Sequence, residues 1–245
     1  MDAPRPTLRR VASVLVLGLT ACESTAPAST TPLERPRPVA RDWAGTPSPA
    51  RGGGAARPSA PVPRGAWVLH VGDSFVHASF QQNLRPLFEA THTGYVVDAT
   101  TATYTTTWAS DAELEKWLNR RPALVLVTLG ANEVDMPVPA EHAAAVEQLV
   151  RKIATRGASC VWITPPMWKH DSGILQVIHD HAAPCLFFDS DAVLGGLQPD
   201  ERQGDGIHPN KRGGARWTSA FWGWLQDHRD PSRPGWALLP FETRG

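Results

Sequence analysis

The chain carries no surplus of charge: Lys and Arg number 24, and Asp and Glu also number 24. Binding to phosphate backbones is driven by an excess of cations, so this balance argues against nucleic acid as the main partner. Long apolar runs are also missing. The run near the N-terminus, Val11 to Leu19, is too short to cross a bilayer as a mature helix. No HExxH motif occurs, and His179 and His181 stand two apart on a predicted helix, where they point to different faces. No metal and no cofactor are therefore expected. Tyrosine is scarce, with two against ten Trp. Large aromatics mostly serve burial, and stacking in a groove is the functional alternative. No internal repeat is present.

The N-terminus reads as an address. Arg5, Arg9 and Arg10 precede the short apolar run, and small residues follow it, which is the layout of a secretory signal. Leu19-Thr20-Ala21-Cys22 resembles a bacterial lipobox. The resemblance implies a signal peptide over 1–21 and lipidation of Cys22 as the first mature residue, the alternative being an ordinary signal peptide. An acylated Cys22 would hold the protein on a membrane by burying many CH₂ groups. Glu23 in place of Asp after the cysteine implies the outer rather than the inner membrane of a cell envelope. Residues 22–64 then hold nine Pro and a Gly52-Gly53-Gly54 run with little apolar periodicity. Such a stretch buries too little surface to offset its ordering entropy, and it is expected to be a disordered tether.

From Gly65 the texture changes. Ala66 to Val71, Tyr95 to Val97, Ala123 to Leu129, Cys160 to Ile163 and Cys185 to Phe188 are short continuous apolar runs. Runs of that kind suit strands covered on both faces of a parallel sheet. Helical patterns lie between them, over 111–119 with Ser110 as the cap candidate, then over 141–154, 173–182 and 214–226. Alternating strands and helices predict an α/β sandwich over 65–229, with a peripheral tail over 230–245.

Three short motifs stand where the chemistry of such a sheet collects, beyond the carboxyl ends of strands. Gly72-Asp73-Ser74 follows the first strand, and Gly130-Ala131-Asn132 follows the third. Asp205-Gly206-Ile207-His208 precedes the last helix. A serine hydroxyl needs a base to take its proton, and histidine is suited to that task. An acid three residues before the His reaches its ring from the same turn and fixes the tautomer. Each piece alone also reads as a turn, a cap or a surface side chain.

Taken together the three blocks resemble those of the SGNH/GDSL hydrolases, and the resemblance covers nearly all of the chain after Gly65. It implies a flavodoxin-like three-layer sandwich around a five-stranded parallel sheet. It also implies Ser74 as nucleophile, His208 as base and Asp205 as the acid orienting it. The backbone N–H of Ser74 and the side-chain amide of Asn132 would donate to the oxyanion. One family feature is missing, a Gly after the second strand that supplies a third donor. The stretch here reads Asp98-Ala99-Thr100-Thr101-Ala102-Thr103-Tyr104, and by position Thr103 takes that place. A β-branched residue is ill suited to a left-handed backbone there. The family's strand order also makes the strands carrying Cys160 and Cys185 neighbours. In an exported protein this implies a Cys160–Cys185 disulfide.

The remaining readings rest on topology. His70 is expected as a satisfied histidine of the first strand, and Thr100 to Trp108 and Trp168 as rim residues. The G-x-S-x-G elbow of α/β-hydrolases is absent. The expected activity is a serine esterase acting on a small acyl ester, with an acylated saccharide such as an O-acetyl polysaccharide as substrate. The alternatives are an O-acyltransferase using the same triad and a non-catalytic envelope binding protein.

Overall fold

The computed structural model describes residues 60–240. The expected signal peptide, Cys22 and most of the tether lie outside them. Five strands form one sheet: β1 (Trp67–Gly72), β2 (Gly94–Ala99), β3 (Leu124–Thr128), β4 (Ser159–Ile163) and β5 (Leu186–Phe188). Their order is β2-β1-β3-β4-β5, and every neighbouring pair is parallel. Five parallel strands flanked by helices are the architecture that the apolar runs predict.

Successive residues of each strand feed two cores. Leu69, Val71, Val125, Val127, Cys160 and Trp162 face a layer built from α3 (Ala112–Asn119), α4 (Ala143–Ala154) and α5 (Ile174–His181). Val68, Leu124, Leu126, Val161 and Ile163 face α1 (Gln81–Glu89) and α7 (Lys211–Asp227). Burial on both faces is why these strands show no alternation of polar and apolar residues. One polar exception is His70, fully buried in β1, whose ring nitrogens meet Tyr95 Oη at 2.6 Å and Thr128 Oγ1, itself buried in β3, at 2.8 Å. A buried imidazole with both nitrogens paired is the satisfied histidine expected there.

Some local expectations change. Helix α3 is capped by Asp111 rather than Ser110: the Asp111 carboxylate accepts the N–H of Glu113 at 2.6 Å and of Leu114 at 3.4 Å. Ser110 instead closes a short helix, α2 (Thr105–Ser110), within the Thr-rich stretch. Pro139 opens a 3₁₀ turn (Pro139–His142), so α4 begins at Ala143 instead of Glu141. A further short helix, α6 (Ser190–Leu194), follows β5. The C-terminal stretch is less peripheral than its prolines suggest. Trp236 is buried against Phe88, and its indole N–H donates to Thr93 Oγ1 at 3.0 Å. Residues assigned to the tether meet it, with Gly235 N–H donating to Pro61 O at 3.1 Å and Arg229 Nη2 to Ala60 O at 2.7 Å.

The β4–β5 register, which pairs Val161 with Leu186, sets Cys160 beside Cys185. The two are joined as a disulfide, with Cα atoms 4.6 Å apart. This bridge lies at the start of the strands, at the end of the sheet opposite the three motif blocks.

Candidate active site

The site begins where β1 ends. A Cβ on Gly72 would lie 2.3 Å from Thr128 O, so only glycine lets β1 and β3 approach this closely. The chain then turns sharply. Asp73 N–H donates to Thr128 O at 3.2 Å, and Asp73 Oδ1 accepts the Phe75 N–H at 2.9 Å. Ser74 opens the helical turn that follows, so its own N–H has no intrahelical acceptor. Ser74 is thereby presented at the carboxyl end of the sheet, where ligands of such sheets bind.

The acid and base come from the turn before α7. Gly206 takes φ 69°, and this tight turn folds Asp205 back beneath the backbone it precedes. Asp205 Oδ1 accepts the N–H groups of Ile207 at 2.8 Å and His208 at 3.0 Å. Its other oxygen lies 2.7 Å from His208 Nδ1. The His208 ring and these N–H groups hold the Asp205 carboxyl down to about 2. With Nδ1–H committed to that carboxylate, Nε2 is the nitrogen left to accept a proton. Nε2 lies 2.8 Å from Ser74 Oγ. The structure therefore brings Ser74, His208 and Asp205 into one hydrogen-bonded line.

Asn132 reaches the same site from the end of β3. Its Nδ2 donates to Thr103 O at 2.8 Å, with Asp73 Oδ2 farther off at 3.4 Å. One amide hydrogen is thus engaged firmly and the other only weakly. The left-handed residue of the loop after β2 is Ala102, at φ 58°, rather than Thr103. The expected conflict between a β-branched side chain and a left-handed backbone is therefore displaced by one residue. Thr103 is nearly buried, and its Oγ1 donates to Thr100 O at 2.7 Å and accepts from Trp108 Nε1 at 3.0 Å. Among the described residues the Thr103 N–H has no backbone acceptor. Trp108, expected on the rim, is instead buried in the core. Trp168 is half-buried and stacks on Phe75 with centroids 5.5 Å apart; Phe75 in turn lies 5.0 Å from the His208 ring.

Three groups support the site, of which Glu133 and Arg202 lie outside the three motifs and Asp73 within the first. Glu133, fully buried beside Asn132, accepts the Thr105 N–H at 2.5 Å and so anchors the loop that holds Thr103. Burial raises its carboxyl above the usual range. Asp73 is likewise raised to about 7 by burial, with Glu133 adding to the effect. Arg202 donates from Nη1 to Ile207 O at 2.5 Å and from Nη2 to Met167 O at 2.7 Å. It ties the His208 turn to the segment that carries Trp168. Among the described residues no group of three His, Cys, Asp or Glu is placed to hold a metal ion.

Comparison with known proteins agrees with this architecture. Residues 70–216 match the model of the GDSL-like Lipase/Acylhydrolase family, a span that includes Ser74, Asn132, Asp205 and His208. Among solved structures, the psychrotrophic esterase EstA from Pseudoalteromonas sp. superposes with a TM-score of 0.52 at 19% identity, covering 66% of this chain and 97% of that one. TesA gives 0.54 at 21% identity, covering 66% and 98%. A carbohydrate esterase family 3 protein from Talaromyces cellulolyticus gives 0.51 at 15% identity, covering 66% and 97%. At these identities the likeness is one of fold. No curated protein matches the chain in sequence.

Proposed function

Because the chain belongs to the GDSL-like lipase/acylhydrolase family, we propose that it is a serine esterase that works through an acyl-Ser74 intermediate. The observation that carries the reading is the line Ser74 Oγ–His208 Nε2–Asp205, at 2.8 and 2.7 Å. Ser74 Oγ attacks the ester carbonyl carbon as its proton passes to His208 Nε2. The developing oxyanion is met by the Ser74 N–H, by the weakly held second hydrogen of Asn132 Nδ2 and by the Thr103 N–H. Losing one such donor costs on the order of 10²–10³ in kcat. His208 returns the proton to the departing alcohol, and the alcohol–acyl bond breaks. Water then attacks acyl-Ser74 with His208 again as base, which releases the acid and restores the serine.

The substrate we infer is a small acyl ester with a saccharide as its alcohol side, that is, an acylated saccharide. Two features support this. Half-buried Trp168 stacks on the buried Phe75 ring, which packs against His208, and among the described residues no long apolar segment stands over the site as a lid. The carbohydrate esterase of Talaromyces cellulolyticus shares the fold. The protein is further proposed to reach the cell envelope, in its outer membrane, through lipid on Cys22. Cys22→Ala followed by fractionation tests this, and unchanged membrane association would refute it.

The decisive experiment is hydrolysis of p-nitrophenyl acetate and butyrate by the protein and by Ser74→Ala. Activity lost in the variant, with acetate preferred, is the expected result. Equal activity in both proteins would refute the acyl-serine mechanism.

A further inference from the structure

Ser74 and His208 are 134 residues apart in sequence, yet their contact is set to hydrogen-bond length. Something must fix the turn after β1 against the start of α7. The turn is a π-type segment, Val76–Phe80, kinked at Ala78 and Ser79. Ser79 has φ 71° and ψ −12°, a left-handed conformation that residues with a Cβ seldom adopt. Such strain persists where the surroundings over-determine it.

The surroundings here are the residues immediately after His208. Ser79 Oγ donates to Asn210 O at 3.1 Å, with Pro209 O at 3.4 Å. Asn210 O also accepts the Gly214 N–H at 2.8 Å, so the serine hydroxyl joins the first hydrogen bond of α7. The fit is tight as well as polar. A Cβ on Gly214 would lie 1.9 Å from Ser79 Oγ and 2.8 Å from Ser79 Cβ. The Ser79 side chain therefore occupies the space that glycine leaves open in α7. It sits five residues after the nucleophile and touches the carbonyls one and two residues after the base.

We propose that Ser79 is a positioning residue that sets the distance between Ser74 and His208 by wedging against Gly214 and hydrogen-bonding Asn210. The inference rests on the triad reading above. Ser79 touches no reacting atom. It acts through the two segments it separates.

Four variants test it: Ser74→Ala, Ser79→Ala, Ser79→Gly and the double change Ser79→Gly with Gly214→Ala. Each is assayed for kcat and KM on p-nitrophenyl acetate, for melting temperature and for the rate of labelling by a fluorophosphonate. In the labelling step Ser74 Oγ bonds to phosphorus, fluoride leaves, and the serine proton passes to His208. Glycine adopts φ 71° without strain, so Ser79→Gly is expected to melt no lower than the parent. Its kcat and labelling rate fall roughly tenfold to a hundredfold, as a misplacement near 1 Å would cause, with KM unchanged. Ser79→Ala, which keeps Cβ beside Gly214 but loses Oγ and its hydrogen bond, falls less. In the double variant the new methyl fills the vacated space, 3.4 Å from the carbonyl carbon of residue 79, and part of the rate returns. Wild-type rates in Ser79→Gly, while Ser74→Ala is dead, would overturn the proposal and leave the triad standing. A rate loss that tracks a lowered melting temperature, with no recovery in the double variant, would reduce Ser79 to a structural role and overturn it too. A parent protein that neither turns over nor labels at Ser74 would remove the triad reading and this inference with it.

Discussion

Replacing Asp73 by Asn should remove a pH-dependent burden from the fold. Asp73 is fully buried, and its carboxyl is raised from 3.8 to about 7, chiefly by loss of solvation. The unfolded chain gives up this proton near pH 3.9. Between pH 4 and 7 the native state therefore holds a proton that the unfolded state has lost, and stability falls as pH rises. A shift of about 3 units at 1.36 kcal/mol each makes the total close to 4 kcal/mol, taken as an upper bound. Asn does not titrate, and its carbonyl oxygen can still accept the Phe75 N–H that Asp73 accepts at 2.9 Å. The parent's own pH curve would hide this slope. His70 is lowered from 6.5 to about 3 by burial, so its contribution grows as pH rises through the same range and opposes that of Asp73. The difference between Asp73→Asn and the parent isolates the carboxyl. Urea unfolding at intervals from pH 4 to 8 should show the variant gaining on the parent by up to about 4 kcal/mol, then levelling above pH 7. A difference that stays constant to within about 1 kcal/mol over that range would refute a raised Asp73.

Ala102 stands exposed at φ 58°, and Ala102→Gly should stabilise the protein by about 0.5–1 kcal/mol in urea unfolding, the relief of strain less the added freedom of the unfolded chain. Replacing Cys160 and Cys185 by Ser opens a closure of 25 residues and should cost roughly 3 kcal/mol of unfolding free energy. Its kcat should hold, since the bridge lies at the opposite end of the sheet from Ser74. Arg202→Met leaves the carbonyls of Ile207 and Met167 without their charged donor. The expected loss is about 3 kcal/mol in urea unfolding together with a lowered kcat; unchanged kcat would show that the His208 turn holds itself.

The sheet was legible because burial on both faces leaves a direct trace, five short, mainly apolar runs at the right spacing. The helices were legible only where one face is apolar for several turns, as in α4, where Val146, Leu149, Val150 and Ile153 are all buried. Helix α1 does place Leu84, Leu87 and Phe88 on one face, but the stripe is short and Pro86 interrupts it, while α2 is six residues of largely Thr-rich sequence with no such stripe. The tail misled for the opposite reason. Its prolines read as loop, which it is, yet Trp236 pins that loop into the core.

The site divides along the same line. Asp205 and His208 are readable because both lie in one turn, so spacing alone brings acid to base. Ser74 and Asn132 are readable because each follows a strand of a parallel sheet, whose carboxyl ends converge. What spacing cannot carry is the distance between those groups. That distance depends on side chains such as Ser79, Arg202 and Glu133, which act across elements remote in sequence and belong to no motif. One trace of it does survive in the chain. Gly213-Gly214 falls inside an otherwise good helix, where glycine destabilises, and a glycine kept at such a cost marks a place where something packs against bare backbone. Here the neighbours are Glu201 O, 2.2 Å from where a Cβ on Gly213 would stand, and Ser79 Oγ against Gly214. Both approaches lie in the first turn of α7, directly after His208. The glycine pair is thus a local record in the sequence of how closely the base is packed toward the nucleophile, and it becomes readable once the helix around it is known.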